Sequence, residues 1–282
     1  MVKLYPEYLA QDRPYVQGDE MPAIDALELV SHGETIYGII LKPEHTPGEN
    51  HPLVLTLHGF PGHCTNNDLA HALRRMGCVV VNPFYRGAWG SGGYYTISGM
   101  PEDAETVANW AVSDEIAEKY HIDTEEVYLA GHSMGGFTTI NTLRRLPWVK
   151  AGICMAPFDP SPALFGAPET HATLKRILET DGRCLRRESE TSIYDDIVGK
   201  ADEMSFLAAY EDLKDRNLYF IGGKKDNLAQ PSAMIEPLFR KLQTHKTTAV
   251  QKYDLLDSDH SFDDMRIRLC ILVGEYIASL AR

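Results

Sequence analysis

Short apolar runs alternate with segments of helical spacing along most of this 282-residue chain. "LVLTLHG" (53–59), "CVVVNPFYR" (78–86), "EVYLAG" (126–131), "AGICMAPF" (151–158) and "LYFIGG" (218–223) read as buried strands, short and apolar on both faces. Between them stand "NDLAHALRRMG", stopped by Gly77, and "EDAETVANWAVSDEIAEKY", one helix with acids in its first turn. "GGFTTINTLRRL" is a third helix and ends before Pro147. "ALELVS" and "TIYGIILK" predict an earlier strand pair joined through His32, Gly33 and Glu34. "PSAMIEPLFRKL" predicts a helix that Pro237 shortens or kinks. "TTAVQKYDLL" predicts a last strand and "DDMRIRLCILVGEYIASLA" a closing helix. Strands apolar on both faces that alternate with helices mean a mostly parallel, eight-stranded twisted sheet covered on both sides, the α/β class.

One interval breaks the rhythm. Residues 159–216 hold no convincing strand, only "DPSPALFGAP", "THATLKRILETDG" and "SIYDDIVGKADEMSFLAAYEDL", the last two of which read as short helices. The expected organisation is a core in two parts, 1–158 and 217–282, with a helical cap insertion at 159–216.

Within the sheet pattern, "LAGHSMGGF" places Gly131, Ser133 and Gly135 between a strand and a helix. That is the context in which G-x-S-x-G forms a nucleophile elbow. A tight turn there exposes the Ser133 hydroxyl beside a helix N-terminus, where N–H groups favour negative charge. A serine hydroxyl needs a base. Of eleven histidines, His51, His63, His71 and His121 read as surface or loop residues. His171 falls in the insertion, His245 ends a helix, His132 lies inside the elbow, and His58 ends a strand. His260, in "DLLDSDHSF", follows the last strand, so it shares the elbow's edge of a parallel sheet. Asp226, in "GGKKDNLAQP", follows the strand before, and is preferred as the orienting carboxylate over Asp254, Asp257 and Asp259. A tetrahedral intermediate also needs donors. The N–H groups of Met134, after the nucleophile, and Phe60, in "HGFPGH", are the candidates.

Composition narrows the partners. A formal net charge of −13 argues against nucleic acid and anionic membranes. The five cysteines (Cys64, Cys78, Cys154, Cys184 and Cys270) show no C-x-x-C spacing, hence neither a disulfide framework nor a zinc knuckle. Cys78, Cys154 and Cys270 read as core thiols. No secretory signal or run of 18 apolar residues is present, so a cytoplasmic location is expected. A homo-oligomer is compatible with this composition, which does not set the oligomeric state.

"LHGFPG", "GHSMGG", "KKDNLAQP" and "SDHSF", in this order, resemble the α/β-hydrolase superfamily over nearly the whole chain. "NPFYRGAWGSGG" followed by "EDAETVANW" is similar to the prolyl oligopeptidase-like and dienelactone hydrolase-like branches, and the layout resembles bacterial cinnamoyl and feruloyl esterases. The resemblance implies Ser133, Asp226 and His260 as a triad, Phe60 and Met134 as oxyanion donors, and no metal or organic cofactor. The expected activity is hydrolysis of carboxylic esters with small or aromatic acyl groups. A peptidase or amidase using the same triad is the first alternative. It is weakened because only about fifty residues precede "LVLTLHGF", where the oligopeptidases carry a propeller. Phe60 also follows "HG" where some of them use a tyrosine hydroxyl. A non-catalytic binding protein is the second alternative. Phe165, Leu164, Leu174, Ile177 and Leu178, with Phe60, Trp89, Tyr94 and Tyr95, are expected to line an acyl pocket; of these Phe60, Trp89, Tyr94 and Phe165 are the leading candidates. Arg86 is expected to hold its own loop, with a substrate-carboxylate role as the alternative.

Overall fold

A computed structural model describes residues 2–63 and 66–281, so Cys64 lies outside the described residues. β1 (Ala23–Ser31) and β2 (Glu34–Lys42) form an antiparallel hairpin. Its two turn residues, His32 and Gly33, have φ of 50° and 84°, the pairing that matches the right-handed twist of the strands. β3 (His51–Leu57), α1 (Asn67–Met76), β4 (Val79–Pro83), α2 (Met100–Ala111), α3 (Asp114–Tyr120), β5 (Ile122–His132), α4 (Met134–Arg145) and β6 (Ala151–Met155) follow. Five short helices come next: α5 (Ser161–Phe165), α6 (Pro168–Asp181), α7 (Ser192–Val198), α8 (Ala201–Met204) and α9 (Tyr210–Leu213). β7 (Asn217–Gly223), α10 (Pro231–Met234), α11 (Glu236–Leu242), β8 (Gln251–Leu256) and α12 (Arg266–Leu280) complete the chain.

The eight strands form one sheet in the order β1-β2-β4-β3-β5-β6-β7-β8, parallel from β4 to β8. This is the α/β-hydrolase architecture expected from the sequence. Its pleat sorts the core. Leu53, Leu55 and Leu57 of β3 join a cluster with Phe137 and Ile140 of α4, while Val54 joins Leu69 and Leu73 of α1 and Val273 of α12 on the other face. Full burial of each such side chain stabilises the fold by about 1.5–3 kcal/mol. β3 lies between β4 and β5, so the chain leaves it to one side and returns on the other. The helices after β3 and β5 therefore pack on opposite faces, and the loops after the two strands share the C-terminal edge of the sheet, where folds of this kind bind ligands.

Several expected elements differ. The helix expected over 102–120 breaks into α2 and α3, because Ser113 is extended (φ −63°, ψ 149°) and its hydroxyl donates to the Trp110 carbonyl at 2.7 Å. The helix expected over 231–242 is α10 and α11, with Pro237 in the first turn of α11, where its missing N–H costs nothing. Residues 247–250 stay outside β8.

Residues 159–216 contain helices and turns alone, and they are held firmly. Leu174, Leu178, Ile193 and Phe206 belong to the same apolar cluster as α4. The buried Asp159 carboxylate accepts from the N–H groups of Ser161 (2.9 Å) and Phe206 (2.8 Å). Arg186 exchanges backbone bonds of 2.8 Å with Tyr95 and Gly87. Cys78, Cys154 and Cys270 are buried free thiols. Among the described residues no helix is long and apolar enough to cross a membrane.

Candidate active site

The turn after β5 is strained. Ser133 has φ 57° and ψ −121°, a conformation non-glycine residues rarely hold. The neighbouring glycines explain how it survives. A Cβ on Gly131 would run into the Gly135 carbonyl, and one on Gly135 into the Leu57 carbonyl. Only hydrogen at both positions lets β5, α4 and the end of β3 approach this closely. Four backbone bonds then fix Ser133: its N–H donates to Met155 (2.9 Å), and its carbonyl accepts from Gly136, Phe137 and Phe158.

The loop after β3 lies against this turn. A Cβ on Gly59 would sit 3.0 Å from Ser133 Cβ and 3.5 Å from its hydroxyl oxygen. The N–H groups of Phe60 and Met134 make no hydrogen bond among the described residues. His58 is fully buried and donates from Nδ1 to the Gly59 carbonyl at 2.8 Å. Burial pushes its imidazole down to about 4.

The loops after β7 and β8 bring Asp226 and His260 together, with His260 Nδ1 2.8 Å from Asp226 Oδ2. Asp226 Oδ1 accepts two more bonds, from the N–H groups of Leu228 (2.8 Å) and Ala229 (2.7 Å). Burial pushes this carboxyl upward, but the bond and charge of His260 and the two amides outweigh it and hold it below its ordinary value. As an anion it only accepts, so the His260 proton sits on Nδ1 and Nε2 is left as a base. No hydrogen bond joins Ser133 Oγ to His260 among the described residues. His132 links the Ser133 turn to His260: its Nε2–H donates to the His260 carbonyl at 2.8 Å. Burial, then the nearby His260, hold His132 down to about 4. This contact spans residues 128 apart in sequence, and the sequence carried no signal for it.

An apolar groove of about 390 Å³ lies beside the pair, lined by Phe158, Ala163, Leu174, Ile177, Leu228 and Met234, with Glu169 on its wall. The backbone N–H of one lining residue, Phe158, donates to the Ser133 carbonyl and that of another, Leu228, to Asp226, while Ser133, Asp226 and His260 themselves do not line the groove. Of the residues expected in an acyl pocket, Leu174 and Ile177 line it. Phe60 packs its ring near Tyr95 (6.0 Å) and Gly182. Trp89 lies against Gly62 and is exposed, as are Tyr94, under the Arg186 guanidinium, and Phe165. Tyr95 is a correction: it is fully buried, and its hydroxyl meets Met100 Sδ at 3.0 Å. Phe158 went unread although it follows β6 at the same edge as the elbow, the position rule that found Asp226 and His260. Arg86 holds its loop, bonded to Asp103 (2.7 Å) and Glu102 (2.6 Å).

Comparison with known proteins agrees with this architecture. The serine aminopeptidase S33 family pattern matches residues 48–191, just over half the chain, a stretch that includes Phe60, Ser133 and Met134. The bifunctional acetylxylan esterase/xylanase XynS20E of Neocallimastix patriciarum is 35% identical over 42% of this chain, a match that spans 17% of that protein's length. The Pyrococcus furiosus esterase Pf2001 superposes with a TM-score of 0.66 at 17% identity, over 95% of this chain and 97% of that one. A puromycin-hydrolyzing peptidase of Mycobacterium tuberculosis gives 0.69 at 16% identity, over 92% of this chain and 40% of that one. The strained strand–turn–helix in this fold, together with the sequence match across it, identifies the chain as a member of the serine aminopeptidase S33 family, within the α/β-hydrolase superfamily.

Proposed function

We propose that the protein is a serine esterase that cleaves carboxylic esters of small or aromatic acids through Ser133, His260 and Asp226. The His260–Asp226 bond of 2.8 Å beside the strained Ser133 turn carries this reading. Ser133 Oγ attacks the ester carbonyl carbon while its proton passes to His260 Nε2. The carbonyl oxygen, now an anion, accepts from the N–H groups of Phe60 and Met134. Collapse breaks the C–O bond, and the alcohol leaves with the proton from His260. Water then gives a proton to His260 and its hydroxide to the acyl carbon. The acid is released and Ser133 regains its proton. Residues 159–216 act as a cap, and the groove between α5, α6 and the loop after β7 takes the acyl group. Trp89, against the Phe60 loop, is placed for the leaving alcohol. Tyr94 and Phe165 stand further out, exposed to larger substrates. The reading calls for no cofactor.

Glu169 favours a second reading, an aminopeptidase or amidase with the same triad. Among the described residues it is the one carboxylate on the groove, and it could pair with a substrate ammonium. Parallel assays with aryl, alkyl and hydroxycinnamoyl esters and with aminoacyl amides separate the two. The esterase reading expects esters to be turned over faster. Faster turnover of aminoacyl amides, with a KM raised by Glu169→Gln, establishes the second reading instead. Fluorophosphonate labelling tests the nucleophile; equal labelling of the Ser133→Ala variant overturns both.

A further inference from the structure

At the opposite ends of the strands, four residues from three separate segments converge: Glu20, His45, His51 and His121. Backbone bonds fix where each side chain starts. Glu20 and His45 exchange N–H···O bonds of 2.9 and 3.2 Å, and the His51 N–H donates to the His121 carbonyl at 2.8 Å. One ligand atom from each of Glu20, His45 and His121 lies within 4.8 Å of the other two. Glu20 Oε1 faces His121 Nε2 at 3.9 Å, while Glu20 Oε2 takes the Lys42 ammonium. The sequence had placed His51 and His121 among the surface and loop histidines; His51 is instead buried at the start of β3.

The hydrogen-bond chain decides which nitrogen of His45 is free. His51 Nδ1 lies 2.9 Å from the Gly77 carbonyl, which can only accept, so Nδ1 carries a proton. A buried imidazole bonded to a carbonyl and another imidazole is neutral, which makes His51 Nε2 an acceptor. His45 Nδ1, 3.1 Å away, therefore donates to it. That leaves His45 Nε2 as an unprotonated lone pair. Metal-bound histidines need this arrangement, with one nitrogen for the ion and the other N–H held by a second partner.

We propose that Glu20, His45 and His121 form a site for a divalent transition-metal ion of the zinc class, with water as the fourth ligand. Two imidazoles and a carboxylate match that ion's donor preference. The His45 and His121 rings now stack in parallel at 3.7 Å, so their lone pairs lie in different planes. Binding requires the half-exposed His121 ring to turn out of the stack. Ligands about 2.1 Å from a tetrahedral zinc are about 3.4 Å apart, so Glu20 and His121 must close by about half an ångström. The ion would clip the segment before β1 to the starts of β3 and β5, at the far ends of the strands from Ser133.

Titration calorimetry of the full chain with zinc chloride, after chelator treatment, tests this alongside thermal unfolding with and without zinc. The expected result is one equivalent bound, a raised Tm, and a tetrahedral cobalt absorption when Co²⁺ replaces zinc. Glu20→Gln and His121→Gln should each weaken binding by at least about a hundredfold. Lys42→Gln should tighten it by about tenfold, since it removes a competing cation. The exposed Glu20 tolerates substitution, so Glu20→Gln keeps the test decisive should His121→Gln fail to fold. No zinc-dependent heat or Tm shift overturns the proposal. So does an isotherm that Glu20→Gln leaves unchanged, or weaker binding by Lys42→Gln.

Discussion

His260 at one end of the strands and His45 and His51 at the other share a bonded Nδ1 and differ in what bonds it. At the C-terminal ends, His260 Nδ1 meets the carboxylate of Asp226, itself held by two amides. At the N-terminal ends, His51 Nδ1 meets the Gly77 carbonyl, and His45 Nδ1 meets His51. A carboxylate fixes the tautomer and also compensates an imidazolium, so its histidine can take up a proton during a reaction. A carbonyl fixes the tautomer alone, which suits a histidine that stays neutral. On the proposed readings, the partner on Nδ1, more than burial, separates the proposed base from the proposed ligand.

The largest test of this contrast removes what the base acts on. Ser133→Ala should lower kcat for the best ester by about a million-fold, with Tm little changed, since alanine keeps the Cβ and with it the same backbone strain. Single-turnover kinetics on the purified variant measure it. Retention of more than about a thousandth of the wild-type rate would mean another nucleophile serves the site. Next in size, Asp226→Asn replaces the carboxylate on Nδ1 by a neutral amide, which neither holds the Nδ1 proton nor compensates an imidazolium. An amide N–H pointed at Nδ1 moves the histidine proton to Nε2, and kcat should fall by about ten-thousand-fold. A small loss would show that the carboxylate is not what distinguishes the two ends.

The C-terminal end was far more legible in the sequence than the N-terminal one. Ser133 announces itself through Gly131 and Gly135, because the turn tolerates no Cβ at either place. Asp226 and His260 follow from a rule of parallel sheets, that residues after successive strands meet at one edge. No comparable rule reads Glu20, His45 and His121, which precede strands, or His51, which begins β3. The groove was half legible for a related reason. Leu174 and Ile177 show at helical spacing, but Phe158, Leu228 and Met234 come from three loops and helices whose approach depends on the tertiary fold. Tyr95 misled because aromatic residues in a loop look available for substrate, and here the backbone of Arg186 covers that loop.

Acid should separate buried histidines from the Asp226 carboxylate at the C-terminal ends of the strands. His58 and His132 are held by burial at about 4, against about 6.5 in an unfolded chain. Between these values the unfolded state binds more protons, so stability is complete above about pH 6.5 and falls as pH drops toward about 4. Each contributes a loss on the order of 2 kcal/mol, together close to a thousandfold in the folding constant. Asp226 acts lower, since its depressed carboxyl stabilises the fold above about pH 4 and that support is lost only as pH falls through its folded value. Urea unfolding at about pH 7 and about pH 4.5 measures the term of the buried histidines, to which His51, also held by burial at about 4, adds its share, free of the Asp226 term. A flat stability across that window would mean that these buried rings take up protons in the native state.

The smallest expected effect probes the link between elbow and base. His132 touches neither reacting atom, but its Nε2–H holds the backbone carbonyl of His260. It is a positioning residue, and its loss should loosen His260 without removing it. His132→Phe keeps a ring in the buried space and deletes the donor, worth about 1 kcal/mol, so kcat should fall by about fivefold with KM unchanged. His132→Gln restores an N–H able to reach that carbonyl and should recover most of the loss. A general packing defect would instead lower Tm in both variants and shift kcat and KM together. If His132→Phe leaves kcat intact, the Asp226 bond alone positions His260, and the contrast between the two strand ends reduces to that one carboxylate.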